Sequence, residues 1–139
     1  MKRYMLSALS AFAAIVLAIV PTVATAQDKP FQGAAVVAFV EHDGKYAVWG
    51  GTGNSTVLGN FSIVVYLHWE GGSVGYAHSI WTAANGDILY THSDSTTPGG
   101  FAIDGGTGRF KNATGSAAVV VIVNSDGTVT VTHDGTISF

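Results

Sequence analysis

Five histidines, His42, His68, His78, His92 and His133, are the side chains of this 139-residue chain best suited to moving protons near neutral pH or to holding a metal. No two of them stand at a spacing that marks a zinc site, so the sequence implies no metal and no cofactor. Proton transfer depends on which side chains share a surface. Along an extended chain alternate residues lie on one face, which groups Tyr66 with His68 and Glu70, Tyr76 with His78, and Tyr90 with His92. If those three faces point into a common interior, Tyr66, His68, His78, Tyr90 and His92 form a polar lining able to donate and accept protons. If they point outward, Phe61, Ile63, Val65, Leu67, Trp69 and Trp81 fill the interior instead. Burying so many unpaired polar groups costs roughly 1–3 kcal/mol each, which weighs toward the outward arrangement.

The elements that must position these residues are strands. Phe61, Ile63, Val65, Leu67 and Trp69 alternate with Ser62, Val64, Tyr66, His68 and Glu70, a period of two over the longest regular run. Val129, Val131 and His133 alternate with Thr128, Thr130, Thr132 and Asp134, a strand with one polar face. Shorter β-rich runs cover 34–41, 46–49, 76–84, 87–92, 101–104 and 116–123. Asp43-Gly44, Gly71-Gly72-Ser73, Asn85-Gly86, Pro98-Gly99-Gly100, Asp126-Gly127 and Asp134-Gly135 separate them, with residue types that tolerate tight hairpins. The expected fold is all-β, a closed antiparallel barrel of about eight strands, a size whose interior is either filled by side chains or holds one small ligand.

The first 26 residues read as a cleavable export signal. Lys2 and Arg3 precede an apolar run from Met5 to Val20, Pro21 breaks it, and Ala24-Thr25-Ala26 offers small residues to a signal peptidase. A signal-peptide helix over 1–26, a linker over 27–32 and a barrel domain over 33–139 are expected, with a secreted or periplasmic product. The run is short and Ala-rich for a membrane span, so no stable membrane insertion is expected after cleavage. What is left carries Lys29, Lys45, Arg109 and Lys111 against nine Asp and Glu. That acidic balance argues against nucleic acid or anionic membranes as partners. With no cysteine, stability has to come from the sheet and its core. Ala117, Val119, Val121 and Val123 on one face and Ala118, Val120 and Ile122 on the other, with Val64 and Tyr66, leave an apolar outer surface that predicts a homo-oligomer interface or a covering segment.

Glycine-rich stretches carry no nucleotide signature. Residues 50–55 and 105–110 neither complete GxGxxG nor end in a P-loop Lys-Ser/Thr. Gly71-Gly72-Ser73-Val74-Gly75 matches GxSxG, but it lies between two strand-like runs rather than between strand and helix, so it reads as a hairpin tip.

The segment Gly105-Gly106-Thr107-Gly108-Arg109-Phe110, followed by Lys111-Asn112-Ala113-Thr114-Gly115 and an apolar strand, resembles the allene oxide cyclase and dirigent barrel superfamily, including its small exported bacterial members. Gly51-Thr52-Gly53-Asn54-Ser55-Thr56, Leu58-Gly59-Asn60-Phe61 and Asp134-Gly135-Thr136-Ile137 are similar to other parts of those proteins. The resemblance implies an eight-stranded barrel, often trimeric, with a mostly apolar cavity that steers cyclisation, isomerisation or radical coupling by holding an intermediate in one shape. It implies a small hydrophobic ligand and an isomerase-like role. It carries over no catalytic residue, since no dirigent-type aspartate motif is present in the first half, and Arg109 falls at a turn or rim position. The alternative is a non-catalytic structural or assembly domain with a filled core.

Overall fold

A computed structural model describes residues 26–139; the expected signal helix lies outside them. Eight antiparallel strands run β1 Asp28–Asp43, β2 Tyr46–Ser55, β3 Gly59–Glu70, β4 Ser73–Ala83, β5 Ile88–Ser93, β6 Gly100–Gly106, β7 Thr114–Val123 and β8 Val129–Ser138. Each pairs with its sequence neighbour, and β8 returns to β1 from Asp28↔Ser138 to Val37↔Val129, closing the barrel. A short helical turn, Gly108–Phe110, is the one departure from strand geometry among the regular elements. Gly71 and Gly72, both at positive φ (59° and 87°), make the tight turn between β3 and β4, so the serine of the GxSxG-like stretch does stand at a hairpin.

Residues 28–32, expected as linker, are strand. Phe31 is the reason: it is fully buried and packs against Trp81 and Phe101, with ring centroids 5.8 and 6.0 Å away. Its burial draws the flanking residues into pairing with β8. The glycine-rich residues 50–55 continue β2 to its end in unbroken pairing with both neighbours.

The interior is divided lengthwise. At the end that holds both ends of the described chain, Phe31, Leu58, Phe61, Trp81, Leu89, Ile103, Phe110 and Ile137 fill the space and are almost wholly buried. The one polar atom of the Trp81 indole is satisfied there, donating to the Thr91 hydroxyl at 2.9 Å. Toward the opposite end, where the β1–β2, β3–β4, β5–β6 and β7–β8 hairpins lie, the filling stops. Val121 and Val123 continue the inward face of β7 yet are 58 % and 74 % exposed. Trp69, expected inside, stands at this rim and is 47 % exposed, beyond a register shift at His68/Trp69 that carries it past the enclosed part of the barrel.

The plug carries the packing energy, so Phe31→Ala is expected to lower unfolding stability by about 3–5 kcal/mol in urea titrations; a loss below about 1 kcal/mol would mean that residues 28–32 are not integral to the barrel.

Candidate functional site

The unfilled half of the barrel is an apolar cup of about 370 Å³. Val37 of β1, Trp49 of β2, Val65 and Leu67 of β3, Ala77 of β4, Val119 and Val121 of β7 and Val129 and Val131 of β8 make its wall, with Ser79 and Ser93 adding hydroxyls. None of its lining residues is Asp, Glu, Lys or Arg. Each wall residue is there by strand alternation, which turns every second side chain of a closed sheet inward.

His133 sits at the floor, where cup meets plug. It follows Val129 and Val131 on the inward face of β8, is 4 % exposed, and has Phe31, Trp81, Phe101 and Phe61 around its ring at centroid distances of 4.6, 5.2, 6.1 and 6.4 Å. Neither ring nitrogen has a hydrogen-bond partner. A buried polar group without a partner is rare in folded proteins and costs stability. Burial among these rings pushes its pKa down to about 4, against a small opposing pull from Asp134. At neutral pH it is therefore an uncharged imidazole with one N–H to give and one lone pair to receive a proton.

The five residues expected as a lumen lining are brought onto one surface, but it is the outer wall. Phe61, Ile63, Val65 and Leu67 take the inward positions of β3, Ala77, Ser79 and Trp81 those of β4, and Leu89 and Thr91 those of β5, which leaves Tyr66, His68, His78, Tyr90 and His92 facing out. Tyr66, His68, His78 and His92 gather there, while Tyr90 stands opposite Ile80. Tyr66 stacks on His78 at 4.9 Å and His68 on Tyr76 at 4.6 Å, and His78 is the direct strand partner of His92. Tyr46 lies against both stacks and shares a 2.6 Å hydrogen bond with Tyr76, which raises the Tyr76 phenol above its ordinary pKa. His92 Nδ1 binds the Asp104 carboxylate at 2.7 Å. Ring faces turned to each other across β3 and β4 add cross-strand stability, while His68 Nδ1 is buried without a hydrogen-bond partner. Among the described residues no three His, Asp or Glu side chains gather as a metal site.

The glycine motif closes the plugged end. Thr107 exchanges hydrogen bonds with Ile88, its N–H to the Ile88 carbonyl at 2.8 Å and its hydroxyl receiving the Ile88 N–H at 2.9 Å. A Cβ on Gly106 would collide with that same carbonyl, so only glycine fits. Arg109 donates to the Val57 carbonyl at 3.0 Å and lies 3.5 Å from Asp87, while Phe110 drops wholly into the plug. Gly105 and Gly115 flank the turn at positive φ. The motif is structural and lies at the end away from the cup.

Compared with known proteins, the chain matches no family model, no curated protein and no solved structure.

The residue that sequence reasoning passed over is His133. Its signal was the alternation Val129, Val131, His133: a histidine continuing an apolar face is one that a closed sheet buries. Because its folded pKa lies below the unfolded value of about 6.5, its neutrality supports the fold fully above that pH, and the support is lost as the pH falls toward 4. Unfolding measured at pH 7 and pH 4 should show native protein losing about 3 kcal/mol more stability than His133→Leu; equal losses would contradict the buried, neutral ring.

Proposed function

We propose that the chain is an exported barrel that takes up one small, largely apolar molecule in its cup and guides that molecule's cyclisation or isomerisation, as the resemblance to allene oxide cyclase and dirigent barrels implies. One observation carries the reading: inward-facing valines of β7 and β8 line an open space of about 370 Å³ above a filled core, in a size range that suits a small ligand. An apolar wall left in contact with water is a standing cost of roughly 25 cal/mol per Å², recovered when a ligand covers it. The wall supplies no strong acid, base or nucleophile, so any rate enhancement comes from holding a reactive molecule in one conformation.

A homo-oligomer, a trimer by the same resemblance, is part of this proposal. Val36, Val40, Val120 and Ile122 on the outer wall of β1 and β7 are 48 %, 59 %, 59 % and 54 % exposed, an apolar surface that a second copy would cover. The same surface supports the alternative of an assembly domain without catalysis; the half-empty interior speaks against a filled core.

Titrating purified protein with an uncharged naphthalene dye, read by the fluorescence of Trp49 and Trp81, tests the reading, with native mass spectrometry for a co-purifying ligand beside it. Ala77→Phe fills the cup and is expected to weaken binding at least tenfold, about 1.4 kcal/mol. His68→Ala and His92→Ala, on the outer wall, are expected to leave it within about twofold. Binding insensitive to Ala77→Phe would place the dye elsewhere and remove the lumen as the site.

A further inference from the structure

We infer that the molecule held in the barrel is an amphiphile with a cationic head, its hydrocarbon tail in the cup and its head on Asp94 in a notch at the side of the mouth. This assignment rests on the lumen reading above and adds the ligand's charge and the way it enters.

The notch follows from two short strands. β5 stops at Ser93 and β6 starts at Gly100, whereas β4 begins at Ser73 and β7 runs on to Val123. Toward the mouth, ladder pairing ends at Ala77↔Ser93 on one side and at Gly100↔Ala118 on the other, so the barrel wall is low between Val74 and Val121. A space of about 470 Å³ occupies this gap. Val74, Ala77, Ser93, Val119 and Val121 line both it and the cup, so the two spaces adjoin and the cup opens sideways.

The two spaces differ in charge. No Asp, Glu, Lys or Arg lines the cup, whereas Asp94 lines the notch as its one charged side chain and is 37 % exposed there. Its Oδ1 accepts the Thr96 N–H at 2.7 Å and the Thr96 hydroxyl, which hold the carboxyl below the ordinary carboxylate range. Its Oδ2 lies 3.8 Å from His92 Nε2, outside hydrogen-bond reach. The strand ends and turns around the mouth add Glu41, Asp43, Glu70 and Asp126 against Lys45, so the entrance as a whole is acidic.

Head-group chemistry then separates the candidates. An ionised carboxyl is an acceptor only, and it holds a charged donor more strongly than a neutral one. A carboxylate bound tail-first would leave its own charge beside Asp94 and the acidic turns, with no Lys or Arg in either lining to answer it. A ketone or aldehyde brings an acceptor to an acceptor. A hydroxyl can donate to Asp94 but gains nothing from the charge of the entrance. An ammonium gains both, and because the notch is open it keeps water on its free side and no ion is fully buried. Behind it, a volume of about 370 Å³ equals roughly a dozen water-sized groups, room for a tail of about eight carbons.

Octylammonium, octanol and octanoate at neutral pH and low salt are matched probes, each titrated as a competitor of the naphthalene dye. Octylammonium is expected to bind roughly threefold more tightly than octanol and about tenfold more tightly than octanoate. Asp94→Asn keeps an oxygen for Thr96 but loses the charge, and is expected to cut the octylammonium-to-octanoate ratio at least threefold while octanol stays within about twofold. Asp126→Asn, at a turn where Thr128 makes the same contacts, is the control and is expected to change that ratio less than about twofold. Octanol or octanoate binding as tightly as octylammonium, a ratio insensitive to Asp94→Asn, or an equal fall in Asp126→Asn overturns the assignment. In any of those cases, octanol competition that Ala77→Phe abolishes would leave the lumen reading standing; failure of all three probes to compete would remove the two together.

Discussion

Closure of the sheet by β1 and β8 is the constraint from which the other features follow. With those strands paired from Asp28↔Ser138 to Val37↔Val129, no edge is left open, and a cysteine-free chain needs no covalent bridge to hold its two ends together. Closure also gives each strand an inside and an outside. Once Phe31, Ala35 and Val37 face in, the register across β2, β3 and β4 determines that Phe61, Ile63 and Val65 do so too, and that Tyr66, His68 and His78 cannot. The chemistry of the interior is thus a consequence of pairing.

Within that frame the interior is unevenly filled. Aromatic residues crowd one half, and their mutual contacts at 5.0–6.0 Å, such as Phe61 with Trp81 and Phe31 with Phe101, make a rigid base. The β-branched and small residues of the other half, Val65, Ala77, Val119, Val121, Val129 and Val131, reach too short a distance to meet across the barrel. The difference in side-chain length between the two halves is what creates the cup. A protein selected only for stability would place longer side chains at those positions, because each unfilled apolar contact forgoes burial.

Much of this was legible in the residues. Each of the eight strands appears as a run of alternating or β-branched residues, and the turn dipeptides between them locate most of the hairpins. What period alone could not settle was side. The even face of β3, with Val64 and Tyr66, is nearly as apolar as the odd face, so the pattern Tyr66-His68-Glu70 admits both orientations until the register with β2 and β4 is known. Residues 28–32 read as linker because Asp28, Lys29 and Pro30 look like a tail, whereas one buried ring, Phe31, outweighs them. Glycines 51 and 53 stand where the β1 backbone comes close: a Cβ there would collide with the Val36 or Ala34 carbonyl.

His133 is where the two halves of the argument meet. The plug's aromatic rings surround it and both its nitrogens are covered, which leaves an imidazole neutral and unpaired at a depth where leucine would pack at lower cost. Other buried polar groups have partners, as Trp81 has Thr91 and Ser55 receives the Leu58 N–H at 3.0 Å, and His68 Nδ1 is the other buried nitrogen without one among the described residues. The two unpaired nitrogens of His133 are a cost the fold carries at the boundary between plug and cup. The valine and alanine walls beside it bound an unfilled space whose surface is mainly hydrocarbon, so plug and cup differ in side-chain length rather than in polarity.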